Sequence, residues 1–355
     1  MLIVQPEMGV PLSSETIYPI TSPATVLVTG AAGFIGYHLT TRLLSSGYTV
    51  IGIDNLNSYY PVELKEARLR QIGNLSNFRF HRADLTDEAA LNSIFELERP
   101  TIVVNLAAQA GVRYSIDNPG VYIQSNLVGF ANVLEACRHH DVTHLLYASS
   151  SSVYGGSTKA PFDEADPADH PVSLYAATKR SNELMADCYA HLYRLPATGM
   201  RFFTVYGPYG RPDMAYYSFT DSYFAGRPIK VYNDGDTRHD LLRDFTYVDD
   251  VVECVVRLLH LAPATTHPHE IFNVGGSRPE SLTNLITTLE NALAGALERP
   301  VCFDKVYEKI KSGDVKATHA NATRLSQRIS YTPQVTLADG LRRFAEWYVR
   351  FNRLV

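Results

Sequence analysis

The stretch Thr25-Val-Leu-Val-Thr-Gly30-Ala-Ala-Gly33-Phe-Ile-Gly36 constrains the fold more than any other part of the chain. An apolar, β-branched run enters a turn spaced by Gly30, Gly33 and Gly36, and Ile35, Leu39 and Leu43 then mark one face of a helix. Glycines in such a turn let the backbone bend tightly and approach a ligand closely. The helix start behind them offers unpaired N–H groups and the positive end of its dipole to a pyrophosphate. Asp54 ends the next β-rich run, about twenty residues on, where a carboxylate accepts hydrogen bonds from ribose hydroxyls. That carboxylate repels a 2′-phosphate and no arginine adjoins it in sequence, so NAD is favoured over NADP. Asp84-Leu85 after the third run could flank the adenine, although Asp-Leu-Thr-Asp is also a good helix cap.

The alternation continues along the chain. Strand-like runs at Thr25–Thr29, Thr49–Ile53, Phe78–His81, Ile102–Leu106, Leu145–Ala148 and Thr198–Phe203 are separated by helical patterns, including one from Tyr175 to Tyr193. This order predicts an α/β fold, a Rossmann-type doubly wound parallel sheet with helices on both faces. From Gly207 to Asp244 the pattern breaks into a Gly-, Pro-, Tyr- and Arg-rich segment suited to covering a ligand rather than adding a sheet unit. Phe245–Val256 reads as strand then helix, and a last helix is expected over Leu337–Phe351. The expected division is a loose tail over 1–23, a dinucleotide-binding domain over 24–202 and 244–274, and a smaller C-terminal α/β substrate domain over 203–243 and 275–355.

Composition excludes several function classes. A chain of 355 residues suits roughly two domains, and apolar residues at 45% with charged residues at 19% describe an ordinary folded protein. The net charge of −5 leaves no basic footprint for nucleic acid, so a polyanionic ligand must be met by local cations. Cys137, Cys188, Cys254 and Cys302 form no CxxC pair, which suits a reducing cytoplasm. No signal-peptide pattern and no membrane-length apolar run is present. His267-Pro-His269-Glu270 and His139-His140 lack further ligands at metal spacing, so no metal is expected.

Tyr175 and Lys179 are four apart and share a helix face. A phenol serving as base near neutrality needs its pKa lowered by about three units, roughly 4 kcal/mol, and a neighbouring ammonium with the positive nicotinamide ring could supply that. Tyr307 and Lys311 repeat the spacing, so position decides between the pairs. Tyr175 follows the run ending in Ala148-Ser149-Ser150-Ser151-Ser152-Val153-Tyr154-Gly155, which puts hydroxyls and phenol at the carboxyl ends of neighbouring strands, where open α/β sheets bind ligands. Tyr307 has no such context.

Taken together these motifs resemble the extended short-chain dehydrogenase/reductase family and, within it, the UDP-glucuronate 4-epimerases, over roughly Val26 to Tyr348. The narrower resemblance rests on Ala107-Ala-Gln-Ala-Gly-Val-Arg113-Tyr-Ser115, the Ser149–Gly155 run, His170-Pro-Val-Ser-Leu-Tyr175-Ala-Ala-Thr-Lys179, and Arg201-Phe-Phe-Thr204-Val-Tyr-Gly-Pro-Tyr-Gly-Arg211-Pro-Asp-Met-Ala215. It implies NAD contacts at Gly30, Gly33, Phe34, Ile35, Gly36, Asp54, Asn55, Asn57, Asp84, Leu85, Leu106, Ala107, Ala108, Gln109, Tyr175, Lys179 and Phe202. It implies Tyr175, Lys179 and Ser150 as catalytic residues, with Ser150 sharing the substrate proton. Ser151, Ser152 and Thr204 would hold a sugar carboxylate, Arg211 and Arg243 would face the UDP phosphates, Val231 and Tyr232 would lie against the uracil, and Arg113 completes the substrate set. A homodimer through Val121–Arg138 and Glu183–Tyr193 is implied by the family alone. The chain departs from its relatives in about four extra residues, His239 to Leu242, in Asn321 where an aspartate is usual, and in Tyr209 where many have Trp.

The implied reaction interconverts UDP-glucuronate and UDP-galacturonate through a transient 4-keto sugar with Tyr175 as base. With a carboxylate on C5 that intermediate is a β-keto acid prone to lose CO2, so an epimerase must hold the carboxylate out of alignment with the carbonyl π-system. Neutral hydroxyls at Ser151 and Ser152 suit this, whereas related dehydratases carry Asp-Glu there and UDP-glucuronate decarboxylases a glutamate at the second position. UDP-glucose/UDP-galactose 4-epimerase is the nearest alternative. A catalytically inactive NAD-binding sensor would be expected to lose the Tyr/Lys pair, which this chain keeps.

Overall fold

The computed structural model describes residues 24–157, 159–233, 235, 240–309 and 315–354. The expected tail, His239 of the insertion and Lys311 of the second Tyr/Lys spacing lie outside the described residues. The first half runs β1 (Thr25–Thr29), α1 (Phe34–Ser45), β2 (Thr49–Asp54), α2 (Val62–Ile72), β3 (Phe78–Arg82), α3 (Glu88–Glu98) and β4 (Ile102–Asn105). Two short helices, α4 (Tyr114–Asp117) and α5 (Pro119–Tyr122), lead through a π-helical turn, Ile123–Val128, into α6 (Gly129–His139). Then come β5 (His144–Ser150), a 3-10 turn at Ser151–Tyr154, α7 (Leu174–Tyr193) and β6 (Ala197–Phe202).

Valine, isoleucine and leucine fill successive positions of these strands, because both sheet faces are covered. Val26, Val28 and Val104 face one layer, while Leu27, Ile51 and Val103 face the other with Phe95 of α3, Phe130 of α6 and Ala186 of α7. Leu27 and Val103 are wholly buried, each contributing about 1.5–3 kcal/mol. The strands pair in parallel as a seven-stranded sheet in the order β10-β6-β5-β4-β1-β2-β3, with β10 (His269–Val274) added at the edge. The chain leaves β1 toward β2 and β3, then returns to the other side at β4. That reversal opens a crevice at the carboxyl ends of β1 and β4, where doubly wound sheets bind their ligands.

The remaining elements build over this crevice: β7 (Thr204–Tyr206), α8 (Ala215–Phe224), β8 (Ile229–Tyr232), β9 (Leu242–Tyr247), α9 (Val248–Leu258), β11 (Pro279–Ser281), α10 (Leu282–Leu297), β12 (Lys305–Glu308), α11 (Thr323–Ile329) and α12 (Leu337–Phe351). They form a three-stranded sheet, β11-β9-β7, and a parallel pair, β12-β8. The segment from Gly207 to Asp244 is therefore more ordered than expected, since it contains α8 and β8. Tyr307 lies half exposed on strand β12 and not on a helix. Leu285 of α10 and Phe344 of α12 belong to the same apolar core as Val26 and Val28, so the two lobes share one continuous core. Strand β9 crosses the expected domain limit at 243/244 and joins the smaller sheet, whereas α9 packs on α1 and β10 joins the large one. We propose that the division into a dinucleotide lobe and a substrate lobe holds around that crossing strand.

Candidate active site

The glycine turn is built as its residues require. Gly30 adopts φ +70°, and a Cβ there would stand 2.9 Å from the Ala107 backbone nitrogen. A Cβ on Gly36 would run into the Gly30 carbonyl oxygen. Gly33 caps α1 without any side-chain cap bond and no acidic residue occupies the first turn, so the N–H groups and dipole remain available to an anion. Asp54 accepts from the backbone N–H groups of Ala32 (3.2 Å) and Leu56 (2.8 Å), which points its carboxylate across the turn. Asn55 donates to Asp84 at 2.7 Å, joining the two expected adenosine-side positions. Lys65 of α2 stands 3.8 Å from Asp54 and donates to Asn57 at 3.0 Å, so a cation does adjoin the carboxylate although none does in sequence. This cradle fits a dinucleotide: bare helix N–H groups for its phosphates, and a carboxylate at the ribose position.

The catalytic end meets this cradle in one cleft of about 1210 Å³, larger than the ~300–1,000 Å³ of a usual single-ligand pocket and ample for two ligands side by side. Ser173 caps α7 by accepting from the Ala176 N–H at 3.1 Å, which fixes Tyr175 in the first turn. Tyr175 and Ser150, the last residue of β5, line the same cleft, and the Tyr175 ring meets Tyr122 edge-on at 6.1 Å. Ser150 Oγ donates to Ser152 Oγ at 3.0 Å and accepts from the Ser152 N–H at 3.2 Å. Lys179 is buried and its Nζ donates to the Ala148 carbonyl at 2.8 Å.

Burial holds the Tyr175 phenol above the usual tyrosine range, opposed by the Ser150 hydrogen bond and the Arg211 charge. Burial also pulls Lys179 down to about 8. The Lys179 side chain is held against the β5 backbone, and near Tyr175 the Arg211 charge favours the ionised phenol while the Asp213 charge opposes it.

Behind the pair, Glu183 continues the Tyr175–Lys179 face by one more turn. Its carboxylate accepts two bonds from Arg201, both 2.8 Å, and one from Ser149 at 2.6 Å. Ser149 and Arg201 are register partners on β5 and β6, so this ion pair ties α7 to both strands. On the substrate side Arg211 is held in a two-pronged pair with Asp213, 2.9 and 2.7 Å, and Tyr59 donates to the same carboxylate at 3.1 Å. The Arg113 guanidinium lies 4.5 Å over the Tyr232 ring, and Arg243 donates to the carbonyls of Leu242 (2.8 Å) and Lys316 (3.3 Å).

All but one of the expected site residues line this cleft. The exception is Val231, which is buried in the apolar core because neighbouring strand residues face opposite ways; Lys230 and Tyr232 line the cleft instead. Lys65, Arg68, Glu183 and Asp213 were missed. Of these Glu183 and Asp213 carried a local signal, the four-residue step from Lys179 and the two-residue step from Arg211. The expectation that His267 and His269 find no further ligand is also corrected: Asp187 of α7 hydrogen-bonds to both.

Comparison with known proteins agrees with this site. Residues 26–275 match the model of the NAD dependent epimerase/dehydratase family. The chain is 47% identical to protein CapI of Staphylococcus aureus over 92% of its own length and 99% of that protein. It is 44% identical to a probable UDP-glucuronate 4-epimerase of Rhizobium meliloti (91% and 96% covered). Among solved structures, the UDP-glucuronic acid 4-epimerase of Bacillus cereus in complex with UDP-glucuronic acid and NAD superposes with a TM-score of 0.83 at 33% identity, covering 92% of this chain and 99% of that one. The family match covers well over half of the chain, and the chain belongs to the NAD dependent epimerase/dehydratase family, among the extended short-chain dehydrogenase/reductases.

Proposed function

We propose that this chain is an NAD-dependent UDP-glucuronate 4-epimerase, interconverting UDP-glucuronate and UDP-galacturonate. The observation that carries it is the meeting of Tyr175, Lys179 and Ser150 with the glycine cradle in one cleft, with Ser151 and Ser152 beside them. Tyr175 takes the proton of the sugar C4 hydroxyl, and Ser150 passes or steadies that proton. The Gly30–Gly36 turn, Asp54 and Lys179 would hold NAD, which would supply the acceptor and donor of hydride at C4. Ser151, Ser152 and Thr204 hold the C5 carboxylate with neutral donors, keeping its C–C bond out of line with the C4 carbonyl and so suppressing CO2 loss. Arg211 and Arg243 face the diphosphate. Arg211 exchanges its bond to Asp213 for the phosphates, which keeps the cation from lying unpaired between turnovers.

The purified enzyme is expected to convert UDP-glucuronate to UDP-galacturonate with no net reduction of NAD. UDP-xylose or CO2 among the products would overturn the reading. Inertness toward UDP-glucuronate with turnover of UDP-glucose would transfer it to a neutral-sugar epimerase.

The assembly we infer is a homodimer through α6 and α7. Leu184 and Leu192 of α7 are 55% and 59% exposed, an apolar stripe that a second copy would cover. Gel filtration with light scattering tests it; a monomer at working concentration would remove it. No helix among the described residues is long and apolar enough to cross a membrane. A cytoplasmic location suits the four unpaired cysteines.

A further inference from the structure

Away from the cleft, the C-terminal half of α7 meets the start of β10. Among the described residues, one ligand atom each from Asp187, His267 and His269 lies within 4.8 Å of the others. The geometry converges further than that figure requires. Nε2 of His267 and Nδ1 of His269 both approach the same carboxylate oxygen, Oδ1 of Asp187, at 2.7 and 3.0 Å. Asp187 and His267 are both solvent accessible, at 51% and 42%, so an ion from solution can reach them.

We infer that Asp187, His267 and His269 form a binding site for a divalent transition-metal ion of the zinc class. Two imidazoles and one carboxylate select such a metal over magnesium or calcium, which prefer all-oxygen shells. Metal–nitrogen bonds of about 2.0 Å in a tetrahedron put ligand atoms roughly 3.3 Å apart, so the two nitrogen–oxygen pairs, at 2.7 and 3.0 Å, need spread by only a few tenths of an ångström. The ion takes the central position that hydrogen-bonded protons now hold.

The surroundings support the histidines as ligands rather than loose surface groups. His269 is only 6% exposed, and its other nitrogen, Nε2, lies 2.8 Å from the Tyr147 hydroxyl. An outer partner of that kind fixes ring orientation and tautomer, leaving Nδ1 to the metal. His269 is also anchored to the sheet as the register partner of Ala197 in β6. The His269 N–H donates to the His267 carbonyl at 2.8 Å across Pro268, so the two ligands are held by one tight turn. A third imidazole, His191, stands one helical turn beyond Asp187 with its ring 5.9 Å from that of His267. The remaining coordination position falls to His191 or to water. Such an ion would cross-link elements 80 residues apart in sequence.

The test uses the untagged full chain, treated with chelator and dialysed, then titrated with Co2+ followed by optical absorption, and with Zn2+ in competition. One equivalent of Co2+ per chain is expected, displaced by Zn2+, with visible bands typical of nitrogen and oxygen ligands. H267A and D187N, both at exposed positions, are expected to weaken binding at least ~10-fold while epimerase turnover stays unchanged. H139A with H140A is expected to leave affinity unaltered. Failure of the unaltered chain to take up Co2+, equal affinity in H267A and D187N, or loss of binding in the His139/His140 variant would each overturn the proposal.

Discussion

Arg68→Met tests whether the two halves of the cleft are held together by one buried cation. Arg68 of α2 is wholly buried and donates to the carbonyls of Ala32 (2.8 Å), Tyr209 (2.7 and 3.1 Å) and Gly210 (3.2 Å), and to the Tyr60 hydroxyl (2.8 Å). Ala32 belongs to the glycine turn, and Gly210 immediately precedes Arg211. Tyr209 between them sits at φ +56°, a left-handed conformation disfavoured for a residue with a Cβ. Methionine keeps the apolar stem and removes every donor, leaving three carbonyls short of a partner. At about 1–3 kcal/mol for each, partly offset by no longer burying a charge, the net loss is about 3–5 kcal/mol. For 355 residues the unfolding entropy is roughly 0.7 kcal/mol per degree, so the thermal midpoint should fall by about 4–7 °C. Differential scanning calorimetry measures that fall. Steady-state kinetics should show a raised KM for UDP-glucuronate, because the loop carrying Arg211 has lost its anchor. A variant within about one degree of the parent by calorimetry, and with unchanged KM, would refute the bridging role.

Three further outcomes are expected. Tyr175→Phe should lower kcat by about 10²–10⁴-fold while the purified protein keeps its NAD, measured by product formation and by nucleotide released on denaturation; near-parental turnover would remove Tyr175 from the mechanism. Gly36→Ala should abolish NAD retention, since the added methyl meets the Gly30 carbonyl oxygen rather than a movable side chain, and a soluble variant with full NAD content would contradict the cradle. His38 and His144 are both pulled down to about 4 by burial, so the folded state binds fewer protons than the unfolded chain between that value and about 6.5. Their stabilisation is present above pH 6.5 and is lost as pH falls toward 4, roughly 2 kcal/mol each at pH 5. Thermal midpoints should drop over that window, less in His144→Asn than in the parent chain; a flat profile would contradict the assignment.

What was legible in the sequence is what is encoded locally. The β1–α1 turn shows because the residues that make it are consecutive, and the strand limits shift by a residue or two because apolar runs mark strand centres better than ends. The helix carrying Tyr175 begins one residue earlier than expected, at Leu174, with Ser173 as its cap. Helix α8 was missed because Ala215-Tyr-Tyr-Ser-Phe-Thr-Asp-Ser-Tyr-Phe is dominated by residues of low helix propensity, and Met214 provides no side-chain cap. Its helicity comes from burying Tyr216 and Phe219 in the shared core. Val231 was misplaced by taking two neighbouring strand residues as one surface. Arg68 and Asp187 act through partners distant in the chain, where single-sequence spacing carries no information.

The buried charges explain why the acid–base pair can be so deeply enclosed. Tyr175 and Lys179 each lose solvation in the cleft, which raises the phenol and lowers the ammonium, so burial favours the neutral form of both. Their separation from Ser150 must therefore be set by the scaffold. Glu183 does this: its pair with Arg201 and bond to Ser149 lock the third turn of the face to the strand that ends in Ser150. Arg68 does the same across the cleft, fixing the glycine turn to the loop that delivers Arg211. Two buried cations on opposite walls thus hold rigid the distances that the proton transfer needs, while Arg211, paired with Asp213, remains exchangeable for substrate. Rigidity sits behind the reacting groups and exchange sits in front of them, as a site must be arranged if a keto sugar is to turn within it without losing its carboxylate.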